Sequence, residues 1–257
     1  MISEADARRL LQRFDELEIR YTERYGPLSQ ARTFLLVEEL VTIRHGILES
    51  AAEATGILTG RRDELVLRIQ ELYDASPFPA GPPPPVRRLP GSSALIEFDR
   101  AYFAERYAAA SRSVRQETVR LQDWRPSPQT RPSAYMYVVD DRGDFLVWTR
   151  PFRMSDLVLG RNRATVDGVP VAHPMLVPER LRVQAAGEVT PVLSDKLQGL
   201  VTNLKSGHFR PPPATAAAVR RAFSRSLGLD EHECDVLTVP EAPSGTVPEV
   251  TGQRNNR

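Results

Sequence analysis

The sequence predicts an α+β fold: a helical N-terminal bundle, a Pro-rich linker, and a mainly antiparallel β-domain closed by one helix. Three observations carry that expectation. Apolar residues recur at steps of three or four through the first third, which is the period of an amphipathic helix. From Tyr135 onward, short β-branched and aromatic runs are punctuated by turn residues, as in strands and hairpins. Between these regions seven prolines fall from Pro77 to Pro90, where fixed φ and missing amide donors favour extended polyproline II.

Each element follows from local chemistry. Ser3 caps the first helix with Asp6 three residues on, a short-armed capping box. Leu10, Phe14, Leu17, Tyr21 and Tyr25 line one face until Gly26-Pro27 stops it. Ser29 caps a second helix that carries Phe34, Val37, Leu40, Val41 and Leu48 toward Gly56, and a third runs from about Asp63 through Leu65, Ile69 and Leu72. Short connections make residues 1–75 a small antiparallel bundle. Residues 76–98 read as a linker acting as a stiff spacer. A connecting helix over 99–125 presents Phe103, Tyr107, Ala110, Val114 and Leu121, and Pro126, Pro128 and Pro132 end it. The β-rich domain, 133–240, opens with a hairpin of Tyr135–Asp140 and Phe145–Thr149 around Asp140-Asp141-Arg142-Gly143. Ala164–Val171, broken at Asp167-Gly168, gives a short strand pair. Gly187–Leu193 and Leu197–Leu204 give another hairpin, with Pro191 confining the first strand to an edge or a bulge. A helix from about Pro213 to Leu227 has proline in its first turn and Gly228 at C′. A strand from Cys234 to Val239 follows, and the polar tail 241–257 is expected to be disordered.

Composition excludes several classes. Apolar residues make up 41% and charged residues 26%, so the chain has the makings of globular cores. A formal net charge of +1 gives no general drive toward nucleic acid. The single cysteine, Cys234, excludes an internal disulfide framework and fits a reducing, cytoplasmic setting. No apolar run approaches the roughly 18–20 residues of a membrane span. The acidic start is unlike a Sec-type signal, although signal-less export leaves no such trace. His45 lies among core positions of the second helix and reads as a helix residue. Glu231, His232, Glu233 and Cys234 resemble a metal set in composition, but no second pair accompanies them, so no metal site is assigned and no cofactor is specified.

The segment Asn203-Leu-Lys-Ser-Gly-His-Phe-Arg-Pro211 is the most distinctive in the chain. A strand ends there, turns at Ser206-Gly207, and leads through prolines into a helix. Such a turn places His208 near amides and a positive helix end, the setting that receives phosphate or carboxylate groups. Ser206, Gly207, Lys205 and Arg210 are the candidate ligand-binding residues for a small anionic ligand. Arg220, Arg221 and Arg225 on the last helix could extend a basic patch, but near-zero net charge favours a solvated face balanced by acids.

Ser206-Gly207-His208-Phe209-x-Pro211, preceded by Ala185-Ala186-Gly187-Glu188, resembles a module of plant IQ-motif calmodulin-binding proteins and of bacterial polymorphic-toxin-like proteins. That resemblance covers residues 134–240. It implies an order of elements: strand pair, histidine segment, Ala-Gly-Glu strand, Ser-Gly-His turn, helix. The histidine segment departs from the module, reading Ala172-His173-Pro174-Met175-Leu176 in place of paired histidines followed by small hydroxyl residues. The resemblance brings His173 into view beside Glu188 and His208 as candidate catalytic residues. Two imidazoles and a carboxylate can act as base, acid and orienting group, or as metal ligands. A structural role for His208 and an ion pair for Glu188 are the competing reading.

Two functions remain open. One is a binding or assembly factor whose helical region recruits a protein partner while the β-domain is a recognition scaffold. The other is an enzyme or toxin-like effector acting on a phosphate-bearing or other anionic ligand at the His208 turn. The absence of a Walker loop, a Gly-x-Ser-x-Gly elbow and a His-Glu-x-x-His helix tilts the expectation toward binding.

Overall fold

Ser3 and Asp6 close a reciprocal cap on α1 (Glu4–Tyr25): the Asp6 amide donates to Ser3 Oγ at 3.2 Å, and the Ser3 amide donates to Asp6 Oδ2 at 3.4 Å. The computed structural model describes residues 1–78, 84–89, 95–126, 133–151 and 164–240. The tail 241–257, Pro128 and Pro132, and residues 79–83 and 90–94 of the proline-rich stretch lie outside the described residues.

Ser29 caps α2 (Gln30–Glu49) through the Arg32 amide, and α3 (Ala52–Ala75) completes the bundle. α2 is buried on nearly every side, from Ala31 through Leu36 and Leu40 to Ile43, because it is wedged between its neighbours and the sheet. The break after α2 falls at Ser50-Ala51, earlier than the apolar spacing predicts. Ser50 Oγ donates back to Gly46 O at 2.6 Å. The Ile2 amide donates to Glu49 O and the Ala51 amide donates to Ile2 O, so a residue from the chain start takes over the backbone groups at the break. Buried ion pairs cross-brace the helices: Glu18 accepts from Arg32 and Arg68, and fully buried Glu39 pairs with Arg61 at 2.7 Å. Burial pushes the Glu39 carboxyl above the usual carboxylate range, against the pull of Arg61.

The proline-rich stretch contributes a strand. β1 (Val86–Arg88) pairs antiparallel with β2 (Ile96–Phe98), Val86 opposite Phe98. The region predicted as one connecting helix divides into α4 (Arg100–Arg106) and α5 (Ala108–Gln116), then β3 (Thr118–Arg120) and a 3-10 turn at Leu121–Asp123. The reason is burial: Phe103, Ala110 and Val114 face one core, whereas Leu121 belongs to the core on the opposite face of the sheet.

The hairpin of β4 (Tyr135–Asp140) and β5 (Phe145–Trp148) forms as expected. The short pair β6 (Thr165–Val166) and β7 (Val169–Pro170) also forms, with Asp167 and Gly168 at positive φ in its turn. β8 (Arg182–Leu193) starts five residues before the predicted strand and pairs with β9 (Leu197–Asn203). α6 (Ala216–Leu227) follows a 3-10 turn at Pro213–Thr215 and ends at Gly228, whose φ of 66° supplies the left-handed cap. β10 (Cys234–Leu237) then adds in parallel to β9.

The main sheet runs β1-β2-β8-β4-β5-β3, with β9 and β10 attached through β8. β8 is its spine. β4 occupies one edge of β8, while β2 at its start and β9 at its end share the other. Pro191 lies two residues past the last β4 pair, where β8 needs no ladder bond on that side. Both faces are covered. α6 packs on Tyr137, Val139, Phe145 and Val147. The opposite face is shared by α4, α5 and the 173–177 segment at one end and by the bundle at the other, where Leu40, Leu58 and Ile69 meet Val192, Val201 and Leu237. No helix among the described residues is long and apolar enough to cross a membrane.

Candidate functional site

The site residues gather at the seam where these two covering layers meet over β8. His173 opens a 3-10 turn, His173–Leu176, whose Met175 and Leu176 are fully buried against the sheet. His173 as a whole is 6% exposed, and Nε2 lies 3.0 Å from Gly187 O. A carbonyl oxygen only accepts, so Nε2 carries the proton and Nδ1 is the bare nitrogen. Nδ1 is buried without a hydrogen-bond partner. Burial first, and His208 second, depress the imidazole to a pKa of about 3.

His208 is half-buried, its ring 6.1 Å from that of His173, edge-on to Tyr107 at 5.7 Å and tilted against Phe98 at 6.4 Å. The turn that carries it closes on itself. Ser206 is fully buried, its Oγ accepts from the Phe209 amide at 3.3 Å, and its carbonyl accepts from the Arg210 amide at 2.7 Å. Phe209 plugs into the core beside Phe98. Gly207 is exposed, and a Cβ there would meet nothing within 4 Å. Arg210 has a φ of 42° and lays its guanidinium 5.7 Å from the Phe78 ring, with Nε buried and unpaired. The amides of Ser206, Phe209 and Arg210 are thus occupied within the turn, and the first turn of α6 lies beyond three prolines.

Glu188 follows the glycine that His173 touches, and its carboxylate is engaged by Asn203. Asn203 was not picked out from the sequence as a site residue, yet it is the hub of the seam. Nδ2 donates to Glu188 Oε2 at 3.0 Å and to Tyr73 Oη at 3.1 Å. Oδ1 accepts from the amides of Glu188 at 3.0 Å and Lys205 at 2.9 Å. All four hydrogen-bonding positions of the amide are filled, two by backbone and two by side chains. Its backbone oxygen also accepts from Tyr137 Oη at 3.0 Å. Tyr73 comes from α3, so this hub ties the bundle to the strand that ends at Ser206-Gly207-His208. Burial and the nearby Glu188 charge raise the Tyr73 phenol, which stays a neutral hydroxyl.

The structure therefore brings His173 and His208 side by side, with Glu188 in the adjoining polar seam and Lys205, Ser206 and Gly207 on the turn. An imidazole held near pH 3 is a weak base at neutral pH, which limits what His173 can do in proton transfer. Among the described residues no group of three or more His, Cys, Asp or Glu is arranged to hold a metal ion. His45 lies on α2 with Nδ1 3.8 Å from Glu49, and Cys234 is buried, its thiol pushed up to about 12 by burial.

The buried neutral imidazole has a consequence for acid stability. The unfolded chain takes up a proton near His173 at about pH 6.5, while the folded chain does so only near 3. Below the first value the unfolded state binds more protons, so stability falls as pH falls through this window, by about 1 kcal/mol per pH unit. Urea titrations from pH 7 to 4 should show a shallower decline for His173→Gln than for the wild type. Equal slopes would mean that the ring is protonated in the fold.

Compared with protein-family models, with curated proteins and with solved structures, the chain matches none of them.

Proposed function

We propose that the chain is a binding and assembly factor whose helical region recruits a protein partner and whose sheet is a recognition scaffold. The observation that carries this reading is the distribution of exposed apolar side chains. Ile19, Tyr25, Leu28, Leu48 and Leu67 are exposed on the helical region, against Tyr102 in the rest of the described residues. Single exposed residues mean little, but Ile19 sits in a groove of ≈ 370 Å³ between α1 and α3, with Asp15, Glu18, Thr22, Glu23 and Arg68. Asp15 and Glu18 are held by Arg61, Arg32 and Arg68. Glu23, one turn from Ile19, has no side-chain partner among the described residues. An apolar anchor beside a free carboxylate suits a partner segment that pairs an apolar side chain with lysine or arginine.

Because the bundle shares its core with β8, β9 and β10, point changes test this better than deletion. A photo-crosslinking residue at Ile19 should trap a discrete partner in cells, and Glu23→Lys should abolish the adduct. The same crosslinker at Arg150, exposed on the β-domain, is the control. No adduct at Ile19, or an equal adduct at Arg150, would sink the proposal.

The enzyme or effector reading at the His208 turn draws on the adjacency of His173 and His208. The low basicity of His173 and the occupied turn amides make it the weaker of the two. The succession of the β4-β5 hairpin, His173 segment, Ala-Gly-Glu strand, Ser-Gly-His turn and α6 is what supports grouping residues 134–240 with the plant and toxin-like modules they resemble.

A further inference from the structure

The arginines of α6 are better placed than their spacing suggests. Arg221 and Arg225 lie one turn apart, and the β4–β5 turn brings Arg142 to the same groove, a space of ≈ 400 Å³ that Gln184, Ser224 and Glu231 also line. Arg225 donates to Gly143 O and so fixes the turn against the helix. Arg142 and Arg221 are exposed, and neither side chain has an ion-pair or hydrogen-bond partner among the described residues.

The neighbouring acids do not neutralise them. Asp140 Oδ1 accepts from the amides of Arg142 and Asp144, Asp141 holds Arg180 at 2.9 Å, and Asp144 holds Arg120 at 3.0 Å. Glu231 is the one carboxylate among the residues that line the groove, against three guanidinium groups. Like charges one turn apart on a helix repel, and a third from another element adds to that cost unless an anion bridges them. The larger cleft beside β1, ≈ 680 Å³, is different. There Arg87 is answered by Glu97, Arg180 by Asp141, and Arg100 by the Glu179 carbonyl.

We propose that the groove between α6 and the β4–β5 turn is a binding site for a phosphate monoester of small-molecule size, clamped by Arg142, Arg221 and Arg225. Guanidinium forks match the paired oxygens of a phosphate group, and a dianion answers the charge excess more fully than a carboxylate. Ser224 and Gln184 supply neutral donors at its rim. The volume falls within the range of small-ligand sites. This surface is separate from the α1–α3 groove, so either proposal stands or falls alone.

The test is calorimetric titration of the full chain at low salt with inorganic phosphate, phenyl phosphate and dimethyl phosphate. The two dianions should bind, and the diester, a monoanion, should bind at least about tenfold more weakly. Arg142→Gln with Arg221→Gln should lower phosphate affinity about tenfold or more without moving the melting temperature, since both side chains are exposed. Glu231→Gln should tighten binding about threefold by removing the opposing charge. Either arginine change made singly serves if the double variant is poorly behaved. Absence of phosphate binding, equal binding of the diester, or affinity unchanged in the arginine variants would overturn the proposal.

Discussion

Gly187→Ala is expected to cost the fold about 4 kcal/mol or more, enough to lower the melting temperature by roughly 10 °C or prevent folding. An added Cβ would overlap the carbonyl oxygen of Asn203, with the Asn203 carbonyl carbon and side-chain oxygen just behind it. Backbone cannot swing aside as the tip of a long side chain can. Pushing Asn203 away would also dismantle what it holds: Tyr137 Oη on its carbonyl, and Tyr73, Glu188 and Lys205 on its amide. Each buried polar group left unsatisfied adds about 1–3 kcal/mol. The internal control is Gly207→Ala in the His208 turn, where a Cβ meets open space and the expected change is within about 0.5 kcal/mol. Urea denaturation of the two variants beside the wild type decides it. Equal midpoints would show that Asn203 does not crowd β8.

That contrast shows what the sequence could and could not say about its own motif. Ala185-Ala186-Gly187-Glu188 and Ser206-Gly207-His208 were visible as a pattern, and both contain a glycine. Only the chain crossing at Asn203 tells which one is needed for close approach. The elements set by local chemistry were legible: the Ser3 and Ser29 caps, the Gly228 terminus, and the hairpins at Asp140–Gly143 and Asp167-Gly168. Elements set by distant partners were not. The break at Ser50 depends on Ile2, and the strand inside the proline-rich stretch depends on Ile96–Phe98. The early start of β8 at Arg182 hides behind a register shift opposite Val139 and Asp140, which disrupts alternation. In the site, His208 was legible as an unusual turn residue, whereas its neighbour His173 came into view only through resemblance. Asn203 and Tyr73 gave no signal of their roles, because a polar residue bound to a partner far along the chain reads like a solvated one, and Arg142 reads only as part of a turn.

Arg44 is the extreme case, and its removal should be the second large effect. It lies on the apolar second helix at 4% exposure, where the sequence shows a charge among core positions. Each of its three guanidinium nitrogens is engaged: Nε on Asp235 Oδ2 at 2.5 Å, Nη1 on Glu233 Oε2 at 2.8 Å, and Nη2 on His232 O at 2.8 Å. These bonds join α2 to the start of β10, at a point where Gly199 lets the Glu233 backbone approach β9 closely. Glu233 is 44% exposed, so water can take over its share of the pairing, while Asp235, at 14%, would be left nearly bare beneath the bundle. Arg44→Ala should therefore cost about 3–5 kcal/mol, most of it the penalty of an uncompensated buried carboxylate. Arg44→Lys should recover little, since one ammonium cannot reproduce a planar fork with partners in three directions. Arg44→Met combined with Asp235→Asn should recover most of the loss, because it removes both charges and keeps the volume. If the double variant is as unstable as Arg44→Ala, neither lost volume nor the orphaned Asp235 charge explains the loss, and the guanidinium's bonds to Glu233 and the His232 carbonyl carry it. A coupling of about 2 kcal/mol or more between the two positions would make the ion pair the bond that docks the helices on the sheet.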